Sequence, residues 1–413
     1  MRVSLTVKLA FRTLGRNPRR TLLSVVGIGV GCAVVLFLTG FMRGGSEMRL
    51  RAISQSGMGH MRIAPPEWEQ TRDDKLRLQE WQAELDAARA TEAVRVAAPH
   101  ARSMALLAFG TRVAGVVMLG VDPEAELAFS RVAGAVTEGR YLESGDRDVT
   151  VIGGSIAERL DVELGDDLFL TVVNSEGEME YAMLRIVGVI RTGSSDLDAT
   201  ICHVTLDDVE RLTGLEGAGE ITITVDDTRR IEETALRLSS AARGDDVVLT
   251  WQVIVPAQGG DAASDRAFSN LLIGIVVVVV TLGIMSAQLT AILERKREIA
   301  VLMALGMKGT QVIRMVVLEA AVLGILGTFA GLLLGAFPVY YTATEGFNFA
   351  AIMGDDLNIG GVLVDPVVYA DMGVWMLPYT AAVALLSAVL ASFYPAWYAM
   401  KTDPTSALSL REA

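Results

Sequence analysis

Four segments of this chain, residues 22–42, 271–293, 315–341 and 376–398, are long and nearly free of charge. Each has the roughly 20 apolar residues needed to cross about 30 Å of hydrocarbon. Inside a bilayer only helices and closed barrels satisfy their own backbone polar groups, and apolar runs of this length select helices. The first segment alone stands where a cleaved signal peptide would. It is a full-length span, however, and Thr39-Gly40-Phe41-Met42-Arg43 is a poor small-residue cleavage site, so it reads as retained.

Charge orients the spans, because Lys and Arg near span ends stay in the cytoplasm. Residues 1–21 carry Arg2, Lys8, Arg12, Arg16, Arg19 and Arg20 and no acid, and residues 294–314 hold five basic against two acidic side chains. Residues 342–375 hold Glu345, Asp355, Asp356, Asp365 and Asp371 and no base. Both termini, including the tail 399–413, are therefore expected inside, and residues 43–270 and 342–375 outside. The expected fold class is an α+β membrane protein, four transmembrane helices with a large mixed α/β domain exported between the first and the second.

Residues 44–268 hold 39 acidic and 22 basic side chains, so the overall net charge of -13 is a property of the exported part. That balance excludes nucleic acid as a partner, since phosphate binding needs clustered Lys and Arg. The basic N-terminus instead suits the anionic cytoplasmic leaflet. Within the exported part, apolar alternation predicts strands at 60–63, 102–109, 113–120, 148–152, 168–173, 181–191, 220–225 and 247–254. Helical spacing predicts helices at 75–90, 155–160 and 229–242. Residues 136–203 are nearly all strand and read as an inserted subdomain. Residues 257–264, rich in Gly, Ala and Asp, read as a flexible joint.

Motifs for enzyme chemistry are missing from these 413 residues: no Gly-x-x-x-x-Gly-Lys-[Ser/Thr] phosphate loop, His-Glu-x-x-His or Gly-x-Ser-x-Gly occurs. Gly27-Ile28-Gly29-Val30-Gly31 sits mid-span with no following Lys. Cys32 lies in the first span and Cys202 in the exported part, which excludes a disulfide framework. His60, His100 and His203 are scattered without ligand spacing and are expected to be ordinary structural residues, with no metal site. Gly27 and Gly31, and Gly327, Gly331 and Gly335, recur every four residues, a spacing that lets helix backbones approach closely. Glu319, the one acid in an otherwise apolar span, lies near the cytoplasmic boundary and reads as a snorkelling or locally paired carboxylate.

Between the second and third spans, Glu294-Arg295-Lys296-Arg297-Glu298-Ile299-Ala300-Val301-Leu302-Met303-Ala304-Leu305-Gly306 is amphipathic. Ile299, Leu302, Met303 and Leu305 are apolar beside a charged collar, and Gly306 supplies a helix stop. A loop that only set topology would need no ordered apolar face.

This segment resembles the "E-R-x-x-E-I-x-x-L-x-A-L-G" signature of the MacB/FtsX/LolC-LolE permeases of ABC transporters. The closing Tyr394-Pro395-Ala396-Trp397-Tyr398-Ala399-Met400-Lys401-Thr402-Asp403-Pro404-Thr405-Ser406-Ala407-Leu408 is similar to the family's "Y-P-A-x-x-A-x-x-x-D-P-x-x-A-L" ending. One span, a large periplasmic domain and three further spans also match, so the resemblance covers essentially the whole chain.

The resemblance implies a mechanotransmission permease of the bacterial inner membrane that is not itself an enzyme. ATP and Mg would be bound by a partner ABC ATPase dimer, docked through Glu294, Arg295, Arg297, Glu298, Ile299, Leu302, Ala304, Leu305 and Gly306. Motion would pass along a stalk at residues 44–56 and 257–270 of a permease dimer, formed with a second copy or a paralogue. Among subfamilies, MacB-type efflux pumps usually carry a fused N-terminal ATPase, whereas 21 residues precede the first span here. FtsX-type regulators, which signal to envelope enzymes without transporting, have smaller outer domains.

The lipoprotein-releasing LolC/LolE type matches best, with Gly59-His60-Met61-Arg62-Ile63 resembling its strand entry. It implies a lipoprotein substrate, a periplasmic carrier, and an acyl-chain cavity for which Val30, Val34, Phe37, Phe41, Ile275, Val279 and Met285 are the candidates by helical spacing and apolarity. No carrier-hooking loop is recognisable in residues 342–375.

Overall fold

A computed structural model of the chain describes residues 18–348, 358–359, 362–363 and 367–401. Arg2, Lys8, Arg12 and Arg16, the acids Asp355, Asp356 and Asp365, and the motif end from Thr402 to Leu408 lie outside the described residues.

In chain order, helix α1 (Pro18–Ile53) precedes the strand β1 (Met61–Ala64), the short α2 (Trp68–Thr71) and α3 (Trp81–Ala90). Then come β2 (Val94–Phe109), β3 (Arg112–Val121), α4 (Pro123–Phe129), α5 (Arg131–Gly134), β4 (Val136–Gly139), β5 (Val149–Gly153) and α6 (Gly154–Leu160). They are followed by β6 (Asp167–Val173), β7 (Met179–Ile190), β8 (Ile201–Thr205), α7 (Leu206–Thr213), β9 (Glu220–Val225), α8 (Ile231–Ala241) and β10 (Val247–Thr250). The helices α9 (Pro256–Glu294), α10 (Lys296–Ala304), α11 (Gly309–Thr344) and α12 (Met376–Met400) complete the order. Four of these helices, α1, α9, α11 and α12, are long and apolar enough to cross a membrane.

The described residues divide into two compact units, one of residues 46–263 with those described between 348 and 367 and one containing the long apolar helices. In the first unit β1 lies antiparallel between β10 and β9, and β9 pairs with Val94–His100 of β2. The 16-residue β2 then enters a second arrangement, with β3 on one side and β6 on the other. Pairing continues through β3, β8, β5, β7 and β6 and returns to β2, which closes a six-stranded ring. Alternation along the strands sends Leu107, Met118, Leu168, Leu170, Leu184 and Val204 into one core, capped by Ile156 and Leu160 of α6 and Val209 and Leu212 of α7. A separate core beneath β1, β9 and β10 holds Ile63, Ile221, Ile223, Leu85 of α3 and Leu238 of α8.

Three expectations change. Residues 136–203 are not a self-contained insertion, because their ring and its core are incomplete without β2 and β3. The expected joint at 257–264 is helical, inside α9, which Pro256 opens, although Gly259 and Gly260 each cost roughly 1 kcal/mol in a helix interior. The helix expected from residue 75 begins only at Trp81, and the final strand stops at Thr250, giving way to a helical turn over Trp251–Ile254.

In the second unit α1 and α11 pack through glycine. A Cβ at Gly331 would sit 2.5 Å from both the Cys32 Cβ and the Gly29 oxygen, and one at Gly327 would sit 2.5 Å from the Ile28 Cβ. Gly335 meets Ala33 at 2.9 Å in the same way, and Gly31 is pressed against Val280 of α9. Gly27 instead faces open space, and Gly29 takes the inward position. The four-residue spacing of Gly27 and Gly31 is right, but the inward face of α1 is set by which side α11 occupies.

Candidate functional site

The charged segment between the second and third long helices folds as α10, capped as its sequence prescribes. Gly306 takes φ 97, donating to the Met303 carbonyl at 3.0 Å while Met307 N–H donates to the Leu302 carbonyl at 3.1 Å, a left-handed helix stop. The Gln311 side chain accepts from the Lys308 N–H at 2.9 Å, which starts α11 at once.

Two faces of α10 have separate uses. Ile299, 4% exposed, and Ala300, 0%, are buried, and Ile299 packs with Ile292, Val312, Val316, Ala396 and Ala399. Arg295 also turns inward and pairs with Glu319 at 3.4 Å, both largely shielded. The outward face of α10 consists of Arg297, Glu298, Val301 and Ala304, flanked by exposed Glu294 at the end of α9 and by Leu305 just past α10, 81% exposed. Of the residues expected to dock a partner, Arg295 and Ile299 are therefore turned into the bundle, Leu302 is half-buried, and Val301, absent from that expectation, joins the exposed row. The apolar residues of α10 serve two masters, and spacing alone did not say which went where.

The cavity candidates are not gathered into an enclosed space. Val30, Val34, Ile275 and Val279 are 39–62% exposed on α1 and α9. Phe37 stacks on Phe41 at 5.7 Å, and Met285 packs beside Ile28, Ile284 and Leu323. A cavity of about 10 Å³ between α1, α9 and α12 is lined by other residues, among them Cys32, Val280 and Thr380, and has room for about one water.

The first unit contains a polar network that sequence spacing did not indicate. His100 of β2 lies in register with Glu220 of β9, and its Nε2 is 2.7 Å from Glu126 of α4 while its Nδ1 is 3.0 Å from the Thr222 hydroxyl. Glu220 is held by Arg62 at 2.7 Å and Arg102 at 3.3 Å. The Tyr141 hydroxyl lies 2.8 Å from His203 Nδ1. Asp122 caps α4 by accepting from Glu124 and Ala125 N–H groups, with Pro123 at its first position, and so aims Glu126 inward. Among the described residues no group of three or more His, Cys, Asp or Glu side chains could hold a metal.

Burial acts on these groups first, and their partners decide the outcome. Burial alone would lower His100, but Glu126 and then Glu220 outweigh it and hold the imidazole above the usual histidine range. Burial would raise Glu220, but Arg102 and Arg62 hold it well below the usual carboxylate range. For His203 burial wins and pushes it down to about 4. A depressed histidine contributes stability that is complete above pH 6.5 and is lost as pH falls towards 4, worth at most roughly 3 kcal/mol. Thermal stability of the full chain in detergent should therefore fall between pH 6.5 and 4 less steeply for His203→Gln than for the unaltered protein. Equal slopes would remove His203 from the account.

Two family profiles match the chain: the MacB-like periplasmic core domain over residues 21–241 and the FtsX-like permease C-terminal over residues 270–404. The chain is 22% identical to the lipoprotein-releasing system transmembrane protein LolC of Xylella fastidiosa (strain Temecula1), with 98% of each chain covered. It is 24% identical to LolC of Neisseria meningitidis serogroup B, covering 94% of this chain and 93% of that one. The macrolide export ATP-binding/permease protein MacB of Shewanella sp. (strain ANA-3) is 24% identical over 98% of this chain and 60% of its own length.

Proposed function

Because the chain belongs to the ABC transporter permeases that join a MacB-like periplasmic core domain to an FtsX-like C-terminal region, we propose that it couples a partner ATPase to the release of lipoproteins from the membrane it spans. The observation that carries the cargo is the full-length match, 98% of both chains, to a protein named for lipoprotein release. The exposed row of α10, with Val301 and Leu305 amid Arg297 and Glu298, has the apolar centre and charged rim of a protein interface and is the surface offered to the ATPase. ATP and Mg belong to that partner. The bare apolar stripe of Val30, Val34, Ile275 and Val279 suits acyl chains, the other wall coming from a second permease subunit.

Reconstituting the chain with its ATPase in proteoliposomes containing a triacylated lipoprotein is the test. ATP-dependent appearance of lipoprotein in the soluble fraction, given an acceptor, is the expected result. ATP hydrolysis with export of a small hydrophobic molecule and no release would replace lipoprotein with the cargo class of the export relative.

A further inference from the structure

The buried charges of the exported unit converge on a segment to which the transport reading assigns no contact. Ser54–Met58 is the turn by which the chain leaves α1, and Gly57 within it has φ 83, a left-handed conformation that suits glycine. A Cβ built on Gly57 would stand 3.3 Å from Glu126 Oε1 and 3.6 Å from the Ser130 hydroxyl. The backbone of the turn thus lies directly against a carboxylate that is 1% exposed. Two residues beyond Gly57, a Cβ at Gly59 (φ 69) would sit 2.5 Å from Thr222 Cγ2, on the strand that carries Glu220. Glu126 in turn is pinned by His100, and His100 by Thr222 beside the Arg62–Glu220 pair.

Stability alone does not call for this set. Each buried ion costs several kcal/mol to desolvate, and apolar replacements of similar volume are often neutral or stabilising. What charges give that methyl groups do not is a fixed geometry.

We propose that Glu126 is the positioning residue that seats the exit turn of α1 on the exported domain, with His100 fixing the carboxylate, so that movement of α1 reaches the sheet through this contact. The inference rests on the permease reading above and names the residues through which its coupling passes. Glu126 is faced by His100 of β2, His203 of β8, Tyr141 and Ser130, with Glu220 of β9, Arg62 of β1 and Arg102 of β2 behind His100. His100 is held above the usual histidine range, so the charged seat is complete at and below that range and loosens as pH rises through the raised value.

The experiment uses the full chain in nanodiscs, with amide hydrogen exchange followed at residues 54–60, and the same protein with its ATPase in proteoliposomes. Glu126→Gln is expected to raise exchange at 54–60 about tenfold while exchange in the ring strands stays unchanged. It should keep ATP hydrolysis but lose about tenfold in cargo released per ATP. In the unaltered protein, protection at 54–60 should fall as pH rises, and in Glu126→Gln this pH dependence should vanish. Should Glu126→Gln not fold, Gly57→Ala disturbs the turn with the network intact and should show the same two losses. Unchanged exchange at 54–60 in the variants, a pH-independent seat in the unaltered protein, or normal release per ATP from a loosened seat would each overturn the proposal. Absence of ATP-driven release from the unaltered protein would instead count against lipoprotein as cargo, and the exchange measurements would still decide the seat.

Discussion

Leu305→Asp is expected to abolish co-purification of the ATPase while leaving the chain inserted and folded. Leu305 is 81% exposed and follows the end of α10, so little internal packing is lost when it is replaced. A carboxylate at the centre of an apolar contact must be desolvated without a partner, and changes of this kind at interface centres cost about 2 kcal/mol or more, roughly a 30-fold loss of affinity. Val301→Asp, on the same face, should act alike. Ile299→Asp should behave differently, lowering the yield of folded protein, because Ile299 is 4% exposed among Ile292, Val312, Val316, Ala396 and Ala399. Pull-down with the tagged ATPase, scored beside size-exclusion profiles in detergent, separates the two classes. A Leu305→Asp protein that still binds ATPase with normal hydrolysis would refute the docking assignment.

Gly331→Leu should be strongly destabilising at the seam between α1 and α11. The β carbon alone would overlap the Cys32 side chain and the Gly29 carbonyl, so α1 and α11 must separate along their seam. Overpacking typically costs about 1–3 kcal/mol, and backbone atoms, unlike a flexible side chain, cannot swing aside. Within a bilayer, where association depends on close packing of small residues, little else compensates. Gly27→Leu is the matched control, since nothing lies within 4 Å of its Cβ position. The expected measurement is a large fall in thermal stability for Gly331→Leu and almost none for Gly27→Leu. Equal effects would mean that the α1–α11 seam is not built as described.

The contrast between Gly27 and Gly331 shows how far the sequence could be read. Spans, their approximate ends and the helix stop at Gly306 follow from hydropathy, charge and local backbone chemistry, and these signals are local. The inward and outward faces of α10 follow from where α11 and α12 lie, so Ile299 and Leu305, alike in apolarity, separate only in three dimensions. The ring of the first unit was legible strand by strand but not as a ring. Its closure depends on β2 pairing with the remote β6 as well as with its neighbour β3, across a sequence separation that no alternation pattern encodes.

By itself the sequence determined four segments long and apolar enough to cross a membrane, the charge pattern from which their orientation is expected and, through two quoted motifs, the permease family. These are consequences of how each segment partitions between water, lipid and membrane charge, one segment at a time. The tertiary structure alone decided that His100, Glu126 and Glu220, 26 and 120 residues apart from the first, form one buried set against the exit turn of α1. Such a set exists only because strands remote in sequence share a register, and it is the geometry of that register that makes isolated charges into partners.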